Sequence, residues 1–227
     1  MTRFHTTSPC ASLRCALVAL NVLAITTSGN ASPTSGHTLA SAAQKLAAMS
    51  VPFVPNAGQW DARTAFAART FAGTLLVTAE GKLVYKLPTT TLTESFVSHS
   101  GQPLAATPQG SRLAQATVSH FTGGDIARYR SSLTTYERVS LGEVFPGVNV
   151  QLRATGSNVE KIFTVAPHRD AAQIRIRLDG ATALTVGDHG ELVAATREGP
   201  VTYTAPVAFQ TLADGSTRDV AVSYSLS

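Results

Sequence analysis

From Phe53 onward, apolar and polar residues alternate in short runs, and the runs stop at glycine, proline or aspartate. Thr74–Thr78 and Lys82–Leu87 flank Ala79-Glu80-Gly81, a β-rich run on each side of a short glycine turn, which predicts a hairpin. Val148, Val150 and Leu152 alternate with Asn149, Gln151 and Arg153, and Glu160–Val165 is the expected partner across Thr155–Asn158. Ile174, Ile176 and Leu178 are expected to face inward, with Arg175 and Arg177 toward water. Leu184–Val186 and Leu192–Ala194 flank Gly187-Asp188-His189-Gly190, a further hairpin turn. Val201–Tyr203 and Val207–Phe209 are joined through Pro206, Asp214-Gly215 is a turn, and Val220–Leu226 alternates throughout. Leu113–Phe121 alternates loosely, and Tyr129–Tyr136 reads as a strand or extended arm running on toward the turn at Glu143–Gly147.

Strands at such spacing, with no helical pattern of ten residues behind any of them, predict an all-β, antiparallel β-sandwich-like domain. A short peripheral N-terminal helix is expected over Leu39–Met49, where Leu39, Ala43, Leu46 and Ala47 share a face. Residues 89–111 are rich in Thr, Ser, Gln, Pro and Gly. They are expected as a long loop, or a poorly formed strand and a tip. They also mark the place where the domain, residues 50–227, would divide into two packed sub-units.

The N-terminus has a different character. Arg3 and Arg14 precede the apolar stretch Cys15–Ile25, with no acidic residue near, and Gly29-Asn30-Ala31 supplies small residues. This is the pattern of a signal peptide, residues 1–31, cleaved after Ala31, with Ala24 and Ser28 as alternatives. The stretch is shorter than the about 20 apolar residues that span a bilayer. Residues 32–49 follow as a flexible leader and the short helix. The chain is thus expected to be exported, to an extracellular, cell-surface or periplasmic place, with no stable membrane span after processing. Both cysteines, Cys10 and Cys15, leave with the signal, so the mature chain has no thiol. The formal charge falls from +4 to +2.

Composition then narrows the chemistry. Charged residues are 14 % of the 227, and only four are lysines. Arg128, Arg130 and Arg138 lie near Tyr129 and Tyr136, and Arg175 is close to Arg177, but acidic neighbours balance the second pair. Nucleic acid is therefore not an expected partner. The histidines left after cleavage, His37, His99, His120, His168 and His189, show no metal-ligand spacing. No Gly-x-Ser-x-Gly elbow occurs, and Ser119-His120 with Asp125 is the nearest approach to a catalytic cluster. Asp170, Asp179 and Asp188 read as turn residues. No catalytic residue, metal site or cofactor is expected.

The most distinctive segment is Phe53-Val-Pro-Asn-Ala-Gly-Gln-Trp-Asp61, with the only tryptophan. Asn56, Gly58, Gln59, Trp60 and Asp61 are expected to be structural, with Trp60 buried against a sheet. The segment is followed by Phe66–Arg69, Gly73–Thr78, Gly81 and Leu83–Tyr85. Tyr136-Glu137, Val144–Val148, Val150, Glu160-Lys161, Phe163–Val165 and Pro167 come next, then Ala172–Gly180 and Ala205–Gln210. In this order they resemble the N-terminal domain of unknown function found ahead of SBBP β-propeller repeats in secreted or surface bacterial proteins. The resemblance implies an exported β-rich domain without established catalytic residues, and Arg69 matches its pattern as a buried ion-pair partner for Asp61. The expected function is a non-enzymatic exported β module with a structural or interaction role. One alternative is a carbohydrate- or cell-wall-binding module using Trp60, Tyr129, Tyr136 and Tyr203 as exposed aromatics. The other is a hydrolase with a cleft at residues 89–130. Expected partners are a glycan, a cell-wall polymer or other protein modules.

Overall fold

The structure, a computed structural model, describes residues 2–6, 15–22 and 48–227, except 122 and 157. In chain order the strands are β1 (Thr2–Thr6), β2 (Cys15–Val22), β3 (Ser50–Val51), β4 (Val54–Pro55), β5 (Thr64–Thr70), β6 (Gly73–Thr78) and β7 (Leu83–Lys86). Then come β8 (Thr91–Phe96), β9 (Gln109–His120), β10 (Arg130–Phe145), β11 (Val148–Thr155), β12 (Asn158–Val165) and β13 (Arg175–Asp179). The last are β14 (Ala183–Val186), β15 (Leu192–Thr196), β16 (Gly199–Tyr203), β17 (Val207–Thr211), β18 (Thr217–Val220) and β19 (Val222–Leu226).

These strands make three antiparallel sheets. The first runs β19-β1-β13-β8-β7-β6-β5-β4. The second runs β18-β17-β2-β12-β11-β10-β9, with β3 added to β11. The third is β14-β15-β16. The predicted hairpins form in register: Val77 faces Leu83 across β6/β7, Val150 faces Phe163 across β11/β12, and Val186 faces Leu192 across β14/β15. Gly81 takes φ +82, which its turn requires and a side chain resists. Gly110 serves another end: the Tyr136 ring lies so close that an added Cβ would sit 2.5 Å from it.

The inner faces of the first two sheets close on one core. Leu75, Val77, Leu83 and Leu92 from the first sheet and Val139, Val150, Leu152 and Phe163 from the second are all at most 1 % exposed. Phe96 of β8 packs edge-on against Phe145 and Phe163, with ring centroids 6.1 and 6.2 Å apart. Ile174 and Ile176 are buried and Val220 and Val222 half-buried, as the alternation requires. Each full burial of such a side chain stabilises the fold by about 1.5–3 kcal/mol.

Three expectations meet a different outcome. The polar stretch at 89–111 carries β8, which lies inside the first sheet, and its polar residues conceal the alternation of Leu92, Glu94 and Phe96. Arg175 does not face water: it is 5 % exposed, because the segment after β8 covers that side, and its guanidinium donates to the His99 carbonyl oxygen at 3.0 Å. The join through Pro206 between Val201–Tyr203 and Val207–Phe209 carries the chain from the third sheet to the second. Within Val220–Leu226 it crosses again, from β18 in the second sheet to β19 in the first. The helix expected at Leu39–Met49 falls almost wholly outside the described residues, as does most of the segment expected as signal and leader. Of residues 1–31, the structure describes the backbone of β1 and β2, each paired between two strands of a sheet.

Truncating Leu152 to Ala is expected to cost about 2–5 kcal/mol, from lost burial and an unfilled cavity. Leu113→Ala, at a side chain 65 % exposed, should stay within about 0.5 kcal/mol of the parent. Urea denaturation of the two variants measures both.

Candidate functional site

The Phe53–Asp61 loop is built by two amides. Asn56 Nδ2 donates to the Thr64 and Asp61 carbonyl oxygens at 2.8 and 2.9 Å, and its Oδ1 accepts from the Gly58 and Trp60 N–H groups at 3.0 and 3.2 Å. Gln59, 3 % exposed, donates to Pro55 O and accepts from Ala57 N, each at 2.7 Å. Phe53, fully buried, is the anchor that pins this loop to β10, bonding Tyr136 through both backbone groups. Trp60 is only half-buried and stands edge-on to His120, centroids 5.7 Å apart. The expected burial of Trp60 is thus corrected, since Phe53 already fills the core beneath the loop.

The expected Asp61–Arg69 pair is also absent. Asp61 binds Arg63 at 2.9 Å with both side chains exposed, while Arg69 is exposed on β5. The Arg63 guanidinium beside it holds the Asp61 carboxyl down at about 2. A neighbour two residues away reaches the carboxylate without any fold-level placement, which outcompetes a partner eight positions on.

The loop leans on a long arm, the β9/β10 hairpin. Arg130 joins them: Nε donates to Ala57 O at 2.5 Å, and Nη1 donates to Ala127 O and Tyr129 O at 2.7 and 2.8 Å. Gly58 lets the guanidinium pass, since a Cβ there would meet Nη2 at 2.5 Å. Beyond this joint, Phe121 is 59 % and Ile126 76 % exposed, and Phe121 packs edge-on against Tyr129 at 5.6 Å. Asp125 caps the short turn at Ile126–Arg128 and pairs with Arg128 at 3.3 Å.

The sequence-selected aromatics therefore divide. Trp60 and Tyr129 flank the arm tip, while half-buried Tyr136 packs edge-on against Phe66 within the sheets, at 6.0 Å. Tyr203 is 5 % exposed in the interior and cannot serve as an exposed platform. Ser119, His120 and Asp125 do not converge either: Ser119 Oγ accepts from Ser132 N, His120 meets Trp60, and Asp125 is a cap. Among the described residues no three His, Cys, Asp or Glu side chains are grouped to hold a metal.

Sequence reasoning missed the most unusual chemistry, which is inside. Lys161 of β12 and Glu94 of β8, each side chain 3 % exposed, form an ion pair across the two large sheets at 2.9 Å. The ammonium lies 5.3 Å from the Tyr203 ring centre and 6.0 Å from that of Tyr85, in cation–π range. Burial lowers the Lys161 pKa, with Glu94 opposing that shift. Burial and then the Glu94 charge raise both Tyr203 and Tyr224 above the ordinary phenol. The Tyr224 hydroxyl donates to Thr204 O at 2.9 Å. The adjoining cavity, lined by Tyr85, Leu92, Val159 and Tyr203, measures about 40 Å³. That is room for about one water and far below the roughly 300 Å³ at which ligand pockets begin.

A larger groove of about 430 Å³ opens where Arg112, Glu137, Arg138, Arg153 and Glu160 line the second sheet. Both of its glutamates are paired: Arg153 binds Glu160 bidentately at 2.6 and 2.7 Å, and Arg112 meets Glu137 at 2.7 Å. Arg138 donates to Gln151 at 3.3 Å. With three arginines against two glutamates, this sheet face keeps a net charge of one positive.

Removing one partner of the interior pair leaves an uncompensated buried charge. Lys161→Met is expected to cost about 3–5 kcal/mol, and the double variant with Glu94→Leu should recover most of it. Equilibrium unfolding of the single and double variants checks the coupling. The raised tyrosines make a second expectation. The folded state keeps phenol protons that the unfolded chain gives up near pH 10, so stability falls as pH rises beyond about 10. Tyr224→Phe should flatten that decline in urea titrations between about pH 9 and 11.

A family model for a domain of unknown function, DUF7948, matches residues 53–227. No curated protein and no solved structure matches the chain. The matched span holds the amide-built loop, the arm and the buried ion pair, and the chain belongs to the DUF7948 family of domains.

Proposed function

We propose that the chain is a non-enzymatic exported β module with a structural or interaction role in a bacterial surface or secreted protein. The observation that carries this reading is the contrast between interior and arm. The Lys161–Glu94 pair is buried as a clasp between sheets, with only a water-sized cavity beside it. The apolar side chains of Phe121 and Ile126 are instead held out on a braced hairpin. Exposed apolar groups on a positioned scaffold suit recognition. The apolar stretch behind Arg3 and Arg14 supports export, and the resemblance supports a place ahead of SBBP propeller repeats.

A glycan or cell-wall polymer is the second reading. Exposed Phe121, with Tyr129 edge-on against it, favours it, because sugar rings stack on such side chains. The hydrolase reading gains nothing from a dispersed Ser119, His120 and Asp125.

The test is retention on peptidoglycan sacculi and on beads bearing purified surface protein. Phe121→Ser with Ile126→Ser should weaken retention at least about tenfold, the loss of about 1.4 kcal/mol of contact. Its melting temperature should equal the parent's. Undiminished retention by the variant, or none by the parent, would count against an interaction role for the arm. Loss on sacculi alone, repeated by Tyr129→Ala, would select the glycan reading.

A further inference from the structure

Burying a lysine and a glutamate together is costly, and an apolar pair of similar volume often serves a fold as well or better. Lys161 and Glu94 nonetheless meet in the interior, each side chain 3 % exposed. Nζ lies 2.9 Å from Oε1 and 2.9 Å from Oε2. Equal reach to both oxygens sets the nitrogen against the carboxyl carbon they share, at about 3–3.5 Å, the separation from which a bond can form. We propose that Lys161 and Glu94 condense into an amide between Nζ and Cδ, a covalent cross-link from β12 to β8 that joins the two large sheets. The inference is independent of export, because β8 is laddered to β7 and β13, and β12 to β11, all within residues 53–227.

The step balances with water as its only by-product. One proton passes from Nζ to Oε1 along their hydrogen bond and turns the ion pair into an amine and a carboxylic acid. Burial favours these neutral forms over the charged ones, and it lowers the Lys161 pKa. The Nζ lone pair then attacks Cδ. A second proton leaves the nitrogen and reaches the same oxygen, and the C–O bond breaks with its electron pair on the departing water. The nitrogen keeps its third proton as the amide N–H, and Oε2 remains as the carbonyl oxygen. No oxidant, reductant or activated donor enters. The Tyr203 hydroxyl, hydrogen-bonded to Glu94, is placed to relay the second proton.

Holding amine and acid in one place gives an effective molarity of up to about 10⁵–10⁸ M, which offsets the competition from water that keeps free acids and amines apart. The amide also removes two buried charges and leaves one polar N–H and one carbonyl, at a smaller desolvation cost. The rings of Tyr203 and Tyr85 flank the nitrogen, 5.3 and 6.0 Å from it, and screen it from solvent. The adjoining cavity of about 40 Å³, lined in part by the same two tyrosines, has room for the one water released.

The experiment weighs the full chain, made by cell-free translation so that no export occurs, folded by circular dichroism and incubated at neutral pH. The expected protein is lighter than its sequence by one water, about 18 Da. Trypsin should then release a branched peptide in which residues 87–112 are joined to residues 154–169, because a linked Lys161 is no longer cleaved. A native β signal at the full sequence mass overturns the inference. So does a one-water deficit that maps elsewhere, to a cyclised Asp179-Gly180 or Asp214-Gly215. Lys161→Arg keeps the charge but offers no amine, so that chain should hold its full mass and melt below the parent, having lost the closed loop from 94 to 161. A deficit that persists in it also overturns the inference. Tyr203→Phe should slow linkage in freshly made chain at least about tenfold, and an unchanged rate would remove the relay.

Discussion

The two large sheets are joined by an ion pair that cannot be left half made. Lys161 on one sheet and Glu94 on the other are buried in the interior, and each is tolerable there only because of its partner. That constraint fixes more than one contact. It sets β8 against β12 at one register, brings Tyr203 of the third sheet over the ammonium, and places Tyr224 of the last strand within reach of the Glu94 charge. Apolar packing supplies most of the favourable free energy but accepts many arrangements of similar volume. A buried charge accepts few. The clasp is the most direct reason for the sheets to meet in one way.

Around this interior the chain uses polar groups in a second, local manner. Asn56 and Gln59 close a loop with their own backbone neighbourhood, and Arg130 then ties that loop to the arm through three carbonyl oxygens. The arm carries exposed Phe121 and Ile126 on a hairpin whose base is fixed by Phe53 and Tyr136. A rigid root and an apolar tip are compatible with recognition without any reacting group.

Much of the fold was legible because alternation is a short-range signal. The hairpins around Gly81, across Thr155–Asn158 and around Gly187–Gly190 follow from side-chain period and turn residues alone. The loop at Asn56–Asp61 was legible as structure for the same reason, since its bonds span few residues. Arg175 was misread because alternation tells which residues share a face, and only the later cover of that face by the segment at His99 decides that it is dry. Strand β8 was obscured because a buried glutamate looks polar in sequence, whatever it binds.

The sequence by itself determined that this chain is made of antiparallel ribbons, where most of them turn, and which side chains of each ribbon are apolar. Those properties are set within a few residues by sterics and by the pleat. Only the tertiary structure decided which ribbons are neighbours, that Lys161 answers Glu94 from 67 residues away, and that an apolar N-terminal segment lies between β12 and β17. Long-range pairing depends on loop closure and on the fit of whole faces, and no local pattern carries that information.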